Sequence, residues 1–102
     1  MVKLSVIYQG QPRDAAAFDD YYWKTHLPGV ARWPRIRKIA LATGEPGEEI
    51  YQICDLYFDS VEDLQAALTS PERKVSLEDT KRFPVFDGQV KRQVFELKDF
   101  KI

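Results

Sequence analysis

Apolar and polar residues alternate at the start of the chain. Val2, Leu4, Val6 and Tyr8 are interleaved with Lys3, Ser5 and Gln9, with only Ile7 out of step. A period of two marks a strand with one buried face, so residues 2–9 are expected as the first strand. Gly10, Pro12 and Asp14 then punctuate the chain. Asp14 is a natural N-cap, Ala15, Ala16 and Ala17 have the highest helix propensity, and Phe18, Tyr22 and His26 recur at i, i+4 and i+8. A first helix is expected there. Pro28 and Gly29 disfavour uninterrupted helix, so the helix should end or kink at Leu27. Residues 36–43 and 50–58 read as two further strands joined by a hairpin loop over 44–49. In the later of these, Ile53 and Tyr57 point one way while Cys54, Leu56 and Phe58 point the other, leaving Asp55 as the main polar exception. Ser60-Val61-Glu62-Asp63 is a capping-box-like start, with Leu64, Ala67 and Leu68 on one stripe. Ser70-Pro71-Glu72 is a fresh N-cap with proline at the first helical position; Val75, Asp79 and Phe83 then follow at intervals of four, and Pro84 closes the segment. Residues 90–97 give a final strand.

The order β-α-β-β-α-β predicts an α+β fold of the ferredoxin-like kind, a four-stranded antiparallel sheet with helices on one face. Residues 1–102 are read as a single domain. Helices of the same chain cover only one face of such a sheet, so a homodimer through the open face is expected. Hydrophobic residues make up 44% and charged residues 30%, a globular composition, and no apolar run is long enough for a membrane span. With 15 basic and 16 acidic residues the net charge is −1, so nucleic acid is not an expected partner. Met1 runs directly into the first strand without the features of a signal peptide, and a cytoplasmic location is expected. Cys54, the single cysteine, lies in an apolar run and reads as a small core residue.

The stretch from Phe18 to Pro28 carries a family resemblance. A phenylalanine, the pair Tyr21-Tyr22, and His26 followed by Leu27-Pro28 resemble the EthD family at this spacing. Phe58-Asp59-Ser60, Ala66-Ala67 and Ser70-Pro71-Glu72 resemble its second helical region, so the match spans nearly the whole chain. The family's proline is often followed by leucine, where this chain has Gly29. The resemblance implies a dimeric α/β barrel in which two ferredoxin-like sheets pack face to face. Relatives with that architecture include muconolactone isomerases, polyketide cyclases, oxygenases and haem-degrading enzymes, and fold alone does not choose among them. Some short family members are labelled reductases, but the chain has no Gly-rich dinucleotide loop.

His26 is the candidate acid or base, because its ordinary pKa of about 6.5 lets both forms exist near neutrality. Tyr8 and Tyr22 are candidate oxygen-side donors for a proton moved between carbon and oxygen. The competing reading is a histidine that caps the last helical carbonyls. Phe18, Trp33, Tyr57 and Phe83 are candidate binding residues, each equally readable as core or dimer packing. Asp79 is a candidate carboxylate in the pocket, against a surface salt bridge with a nearby Lys or Arg; Asp55 invites the same two readings. One His and one Cys without ligand spacing make no metal site, and no cofactor is expected. Haem is a minor alternative implied by the relatives, whose histidine sits on the second helical region rather than the first. The expected function is therefore binding of a small apolar or aromatic oxygenated metabolite, with cofactor-independent proton transfer or oxidation. The rival is a non-catalytic dimeric binding or accessory module.

Overall fold

In the computed structural model, which describes residues 1–102, four strands form one sheet: β1 (Val2–Pro12), β2 (Lys38–Thr43), β3 (Ile50–Phe58) and β4 (Phe86–Glu96). Their order is β2-β3-β1-β4, and every neighbouring pair is antiparallel. Helices α1 (Ala15–Tyr21) and α2 (Leu27–Val30), joined by a π-helical turn over Tyr22–His26, follow β1; α3 (Val61–Leu68) and α4 (Pro71–Asp79) follow β3. This is the expected ferredoxin-like α+β arrangement. Strand alternation puts Val2, Leu4, Val6 and Tyr8 of β1 on one face with Cys54, Leu56 and Phe58 of β3, and all are buried. There they meet Phe18, Tyr22, Val30, Trp33, Leu64 and Ala67 in a single core. The caps are those the sequence predicts: Asp14 accepts from the Ala17 amide, Ser60 from Asp63 and Ser70 from Arg73.

Three local expectations are corrected. The first helix runs through Leu27 to Val30, because the Leu27 amide donates to Tyr22 O, five residues back. In an α-helix the ring of Pro28 would press on the carbonyl four residues earlier; the wider π turn relieves that clash and the helix continues. Secondly, β1 and β4 run further than expected, pairing Gly10 with Gly88, Gln11 with Asp87 and Pro12 with Phe86. Gly10 sits at φ 130°, and a Cβ there would lie 2.2 Å from the Asp87 carbonyl oxygen. Residues that read as a turn are thus a close strand crossing that only glycine permits. Thirdly, α4 buries Ser76 and leaves Val75 67% exposed. Asp79 ends α4 and Phe83 lies beyond a 3₁₀ turn over Thr80–Arg82, where the spacing of four no longer defines one stripe.

Two features position the site. The helical layer stops short of β4, so Val90 and Val94 remain 40% and 44% exposed although they pair with Tyr8 and Leu4 on the helix side of the sheet. A bulge opposite Tyr8 and Gln9 then brings Tyr51 to that side, its ring centroid 5.9 Å from Phe18. The other face carries Ile7, Ile53, Tyr57 and Phe95 around a polar centre. There Lys3 Nζ lies 3.0 Å from Asp55 Oδ2, and the Ser5 hydroxyl donates to the second Asp55 oxygen. Asp55 is a structural ion-pair partner on the open face. No helix is long and apolar enough to cross a membrane.

Candidate functional site

His26 owes its position to the π turn. Each i+4 step in an α-helix overshoots a full turn by about 40°, so Phe18, Tyr22 and His26 would wind away from the sheet. The wider turn over Tyr22–His26 takes that drift back, and His26 is 8% exposed. Its ring packs 5.0 Å from Tyr22 and edge-on to Phe83 at 4.7 Å between centroids.

The end of α4 meets this histidine with a carboxylate. His26 Nδ1 lies 2.9 Å from Asp79 Oδ2, and the Tyr21 hydroxyl donates to Asp79 Oδ1 at 2.6 Å. A carboxylate only accepts, so Nδ1 carries the shared proton, and in the neutral ring Nε2 carries the lone pair. Burial lowers the His26 pKa; the hydrogen bond and charge of Asp79 oppose this, and the Arg92 guanidinium adds to the lowering. Burial works against ionisation of Asp79, but the hydrogen bonds from Tyr21 and His26 outweigh it and hold the carboxyl below its ordinary value. Near neutral pH the pair is therefore a neutral imidazole against an ionised carboxylate.

Beside His26 a narrow cavity opens between helices and sheet, lined mainly by apolar side chains and by Tyr8, Tyr22, Trp33 and Cys54. Its free volume of about 30 Å³ has room for a water or two and no more. It adjoins an outer cleft of about 280 Å³ bounded by Phe83, Pro84, Val85, Phe86 and Val90, and the two share Tyr8, Thr80 and Arg92. The uncovered helix-side face of β4 is what leaves this cleft open. Burial pushes the Tyr8 phenol up to about 12, with the Tyr22 hydroxyl partly opposing it. Burial likewise raises Tyr22, with Tyr8 and Cys54 adding to the effect, and pushes the Cys54 thiol up to about 11. All three keep their protons at neutral pH and present donors.

The structure brings His26, Tyr22, Tyr8 and Trp33 together around the inner cavity and places Phe83 on the outer cleft. Phe18 packs beneath them at 1% exposure, stacked on Tyr22, and lines neither space. Asp79 stands behind His26 rather than in the cavity, and in place of a surface Lys or Arg its partners are His26 and Tyr21. Tyr57 requires correction: it is out of phase with Cys54, Leu56 and Phe58, so it lies on the open sheet face with Lys38 Nζ over its ring. Residues that spacing did not single out are Tyr21; Ser76, whose hydroxyl accepts from Trp33 Nε1 at 3.0 Å; and Arg73 and Arg92 on the cavity wall. Arg92 had a readable signal, as the one cation in the row Val90, Arg92, Val94. No cluster of three or more His, Cys, Asp or Glu side chains forms that could hold a metal.

The family model of the EthD domain matches residues 11–87. A curated relative from Rhodococcus erythropolis, described as an uncharacterized 11.0 kDa protein in the thcB-thcC intergenic region, is 31% identical over 88 residues, which cover 81% of this chain and 84% of the relative. A solved EthD family protein from Bacillus halodurans superposes with a TM-score of 0.83 at 32% identity, covering 96% of this chain and 99% of that one. Two more distant structures share the fold alone. One is a dimeric ferredoxin-like protein of unknown function from Bacteroides fragilis (TM-score 0.64, 18% identity, 94% and 95% covered). The other is SnoaB, a cofactor-independent oxygenase from Streptomyces nogalater (TM-score 0.66, 15% identity, 97% and 94% covered).

Proposed function

The chain belongs to the EthD domain family, and from that premise we propose that it is a cofactor-independent enzyme of proton transfer. In this reading it is a cytoplasmic homodimer that binds a small apolar or aromatic oxygenated metabolite between sheet and helices. One observation carries the reading: His26 is tied through Nδ1 to the half-buried Asp79, which leaves Nε2 as the base beside an apolar cavity with two phenol donors. Nε2 accepts a proton from an acidic C–H or O–H of the substrate, and the electron pair left behind delocalises onto the substrate oxygen. Tyr8 and Tyr22 donate hydrogen bonds to that oxygen. The imidazolium, stabilised by Asp79, then returns its proton to a different substrate atom, so atoms and charge balance without a cofactor.

A panel of lactones and polyphenols assayed with the wild-type protein and His26→Ala tests this. Loss of general base catalysis is expected to lower turnover by about 10²–10⁴-fold; unchanged turnover in the variant removes His26 from the chemistry. Ligand binding without any turnover in the wild type favours the accessory-module reading. The likeness to SnoaB favours a second chemistry, in which the deprotonated substrate reacts with dioxygen. Oxygen consumption that matches turnover one to one distinguishes it from isomerisation.

A further inference from the structure

The inner cavity and the outer cleft carry two guanidinium groups and no carboxylate. Arg92 lines both spaces, and Arg73 lines the inner one. Neither takes part in an ion pair, so both keep their charge uncompensated beside an apolar wall. Arg73 donates only weakly, from Nη1 to Leu68 O at 3.4 Å, and its Nε is buried with no partner. Arg92 pairs with Val6 in the β1–β4 ladder, on the helix side of the sheet, at the junction between the cavity and the cleft. A guanidinium in that register faces a wall of Tyr8, Phe83, Phe86 and Val90, where an apolar side chain would continue the row. Its five donors are shaped for an anionic oxygen.

We propose that Arg92 is a recognition residue for an anionic oxygen, so that the metabolite is an organic acid: an apolar ring in the outer cleft bearing a carboxylate or acidic enol directed at Arg92. This rests on the reading of the same cleft as the binding site and names the class of molecule it accepts. The geometry is consistent in size. The ring occupies the space of about 280 Å³, while the inner cavity of about 30 Å³ beside His26 admits only the reacting atoms. Where the substrate is an enol, Arg92 also stabilises the enolate that forms when His26 takes the proton, because its charge faces the developing oxyanion.

Equilibrium binding of 2-naphthoate and its neutral counterpart 2-naphthamide at pH 8, followed by tryptophan fluorescence, tests the proposal. The wild-type protein is expected to prefer the acid by about tenfold or more, as a charge-assisted contact implies. Arg92→Gln is expected to abolish the preference while unfolding at the wild-type temperature, since the side chain is exposed on strand β4; Arg92→Lys should retain part of it, and added salt should weaken it. Equal affinity for the two probes, no measurable binding of either, or a preference that survives in Arg92→Gln overturns the proposal. His26→Gln separates this from the catalytic reading, because it should lose turnover and keep the preference for the acid.

Discussion

The chemistry of His26 is set by two opposed effects on one ring. Burial disfavours its charged form, and Asp79 favours it; burial is the larger, so the ring is neutral at pH 7 and its pKa lies below the ordinary 6.5. The expected profile of kcat/KM rises with pH through that lowered value and is flat above it. Besides Asp79, the charged or titratable groups that share the cavity with the ring are Arg92 on β4, Tyr8 on β1, Cys54 on β3, Arg73 on α4 and Tyr22 on its own helix. Asp79→Asn removes the negative charge, so the acidic limb should move to still lower pH, and kcat should fall because the tautomer and orientation are no longer held. A carboxylate that merely supported the fold would leave the limb in place, and a pH series on the variant decides between the two. Stability follows the same sign. With folded values depressed for both groups, the unfolded chain binds protons first. The stability from His26 is complete above about 6.5 and is lost as pH falls through its folded value, with Asp79 following below 3.8. Of this pair the sequence announced the histidine, which has no rival. It also offered Asp79 as a candidate carboxylate, but not its pairing with a histidine 53 residues away, because no local spacing links the end of α4 to the end of the first helix.

The π turn is the element on which the site depends. It relieves Pro28, lets the helix continue to Val30, and keeps Phe18, Tyr22 and His26 on one line toward the sheet. Pro28→Ala removes the ring clash that the wide turn relieves and should let Tyr22–His26 relax to regular α-helix, which over the eight residues from Phe18 carries His26 about 80° off the sheet-facing line. The expected outcome is a folded protein with cooperative thermal unfolding, turnover reduced to the His26→Ala level, and a His26 NMR titration returned toward 6.5. Turnover at the wild-type level would show that the turn is incidental. The sequence contained both halves of this feature, an i+4 aromatic-imidazole stripe and a proline inside it, and read singly they conflict. A wider turn satisfies both, and the helix in which it sits gains enough from packing against the core to absorb the poorer local geometry.

The sheet as a whole has one face covered by helices and one not. On the open face the Lys3–Asp55 pair, with Ser5, is ringed by Ile7, Ile53, Tyr57 and Phe95, a surface suited to a second copy of the chain. Sedimentation at micromolar concentration is expected to give twice the 11.9 kDa chain mass. Ile53→Glu, which buries an unpaired charge only if that face is covered, should give a monomer; a wild-type monomer overturns the assembly. Much of the molecule was legible from local rules. Alternation in β1 and β3, the caps at Asp14, Ser60 and Ser70, and the order of elements were enough for the ferredoxin-like fold, and the Phe18–Pro28 stretch was enough for the family, because periodicity, capping and motif spacing are written in adjacent residues. The phases of Tyr57 and Arg92 were also written in strand alternation, but tertiary packing alone decided which of those faces borders the cleft, that Asp79 meets His26, and that Gly10 and Pro12 stay within a strand. These outcomes depend on register across the sheet and on how the end of one helix docks against another, and contacts between distant segments leave no trace in the spacing of either.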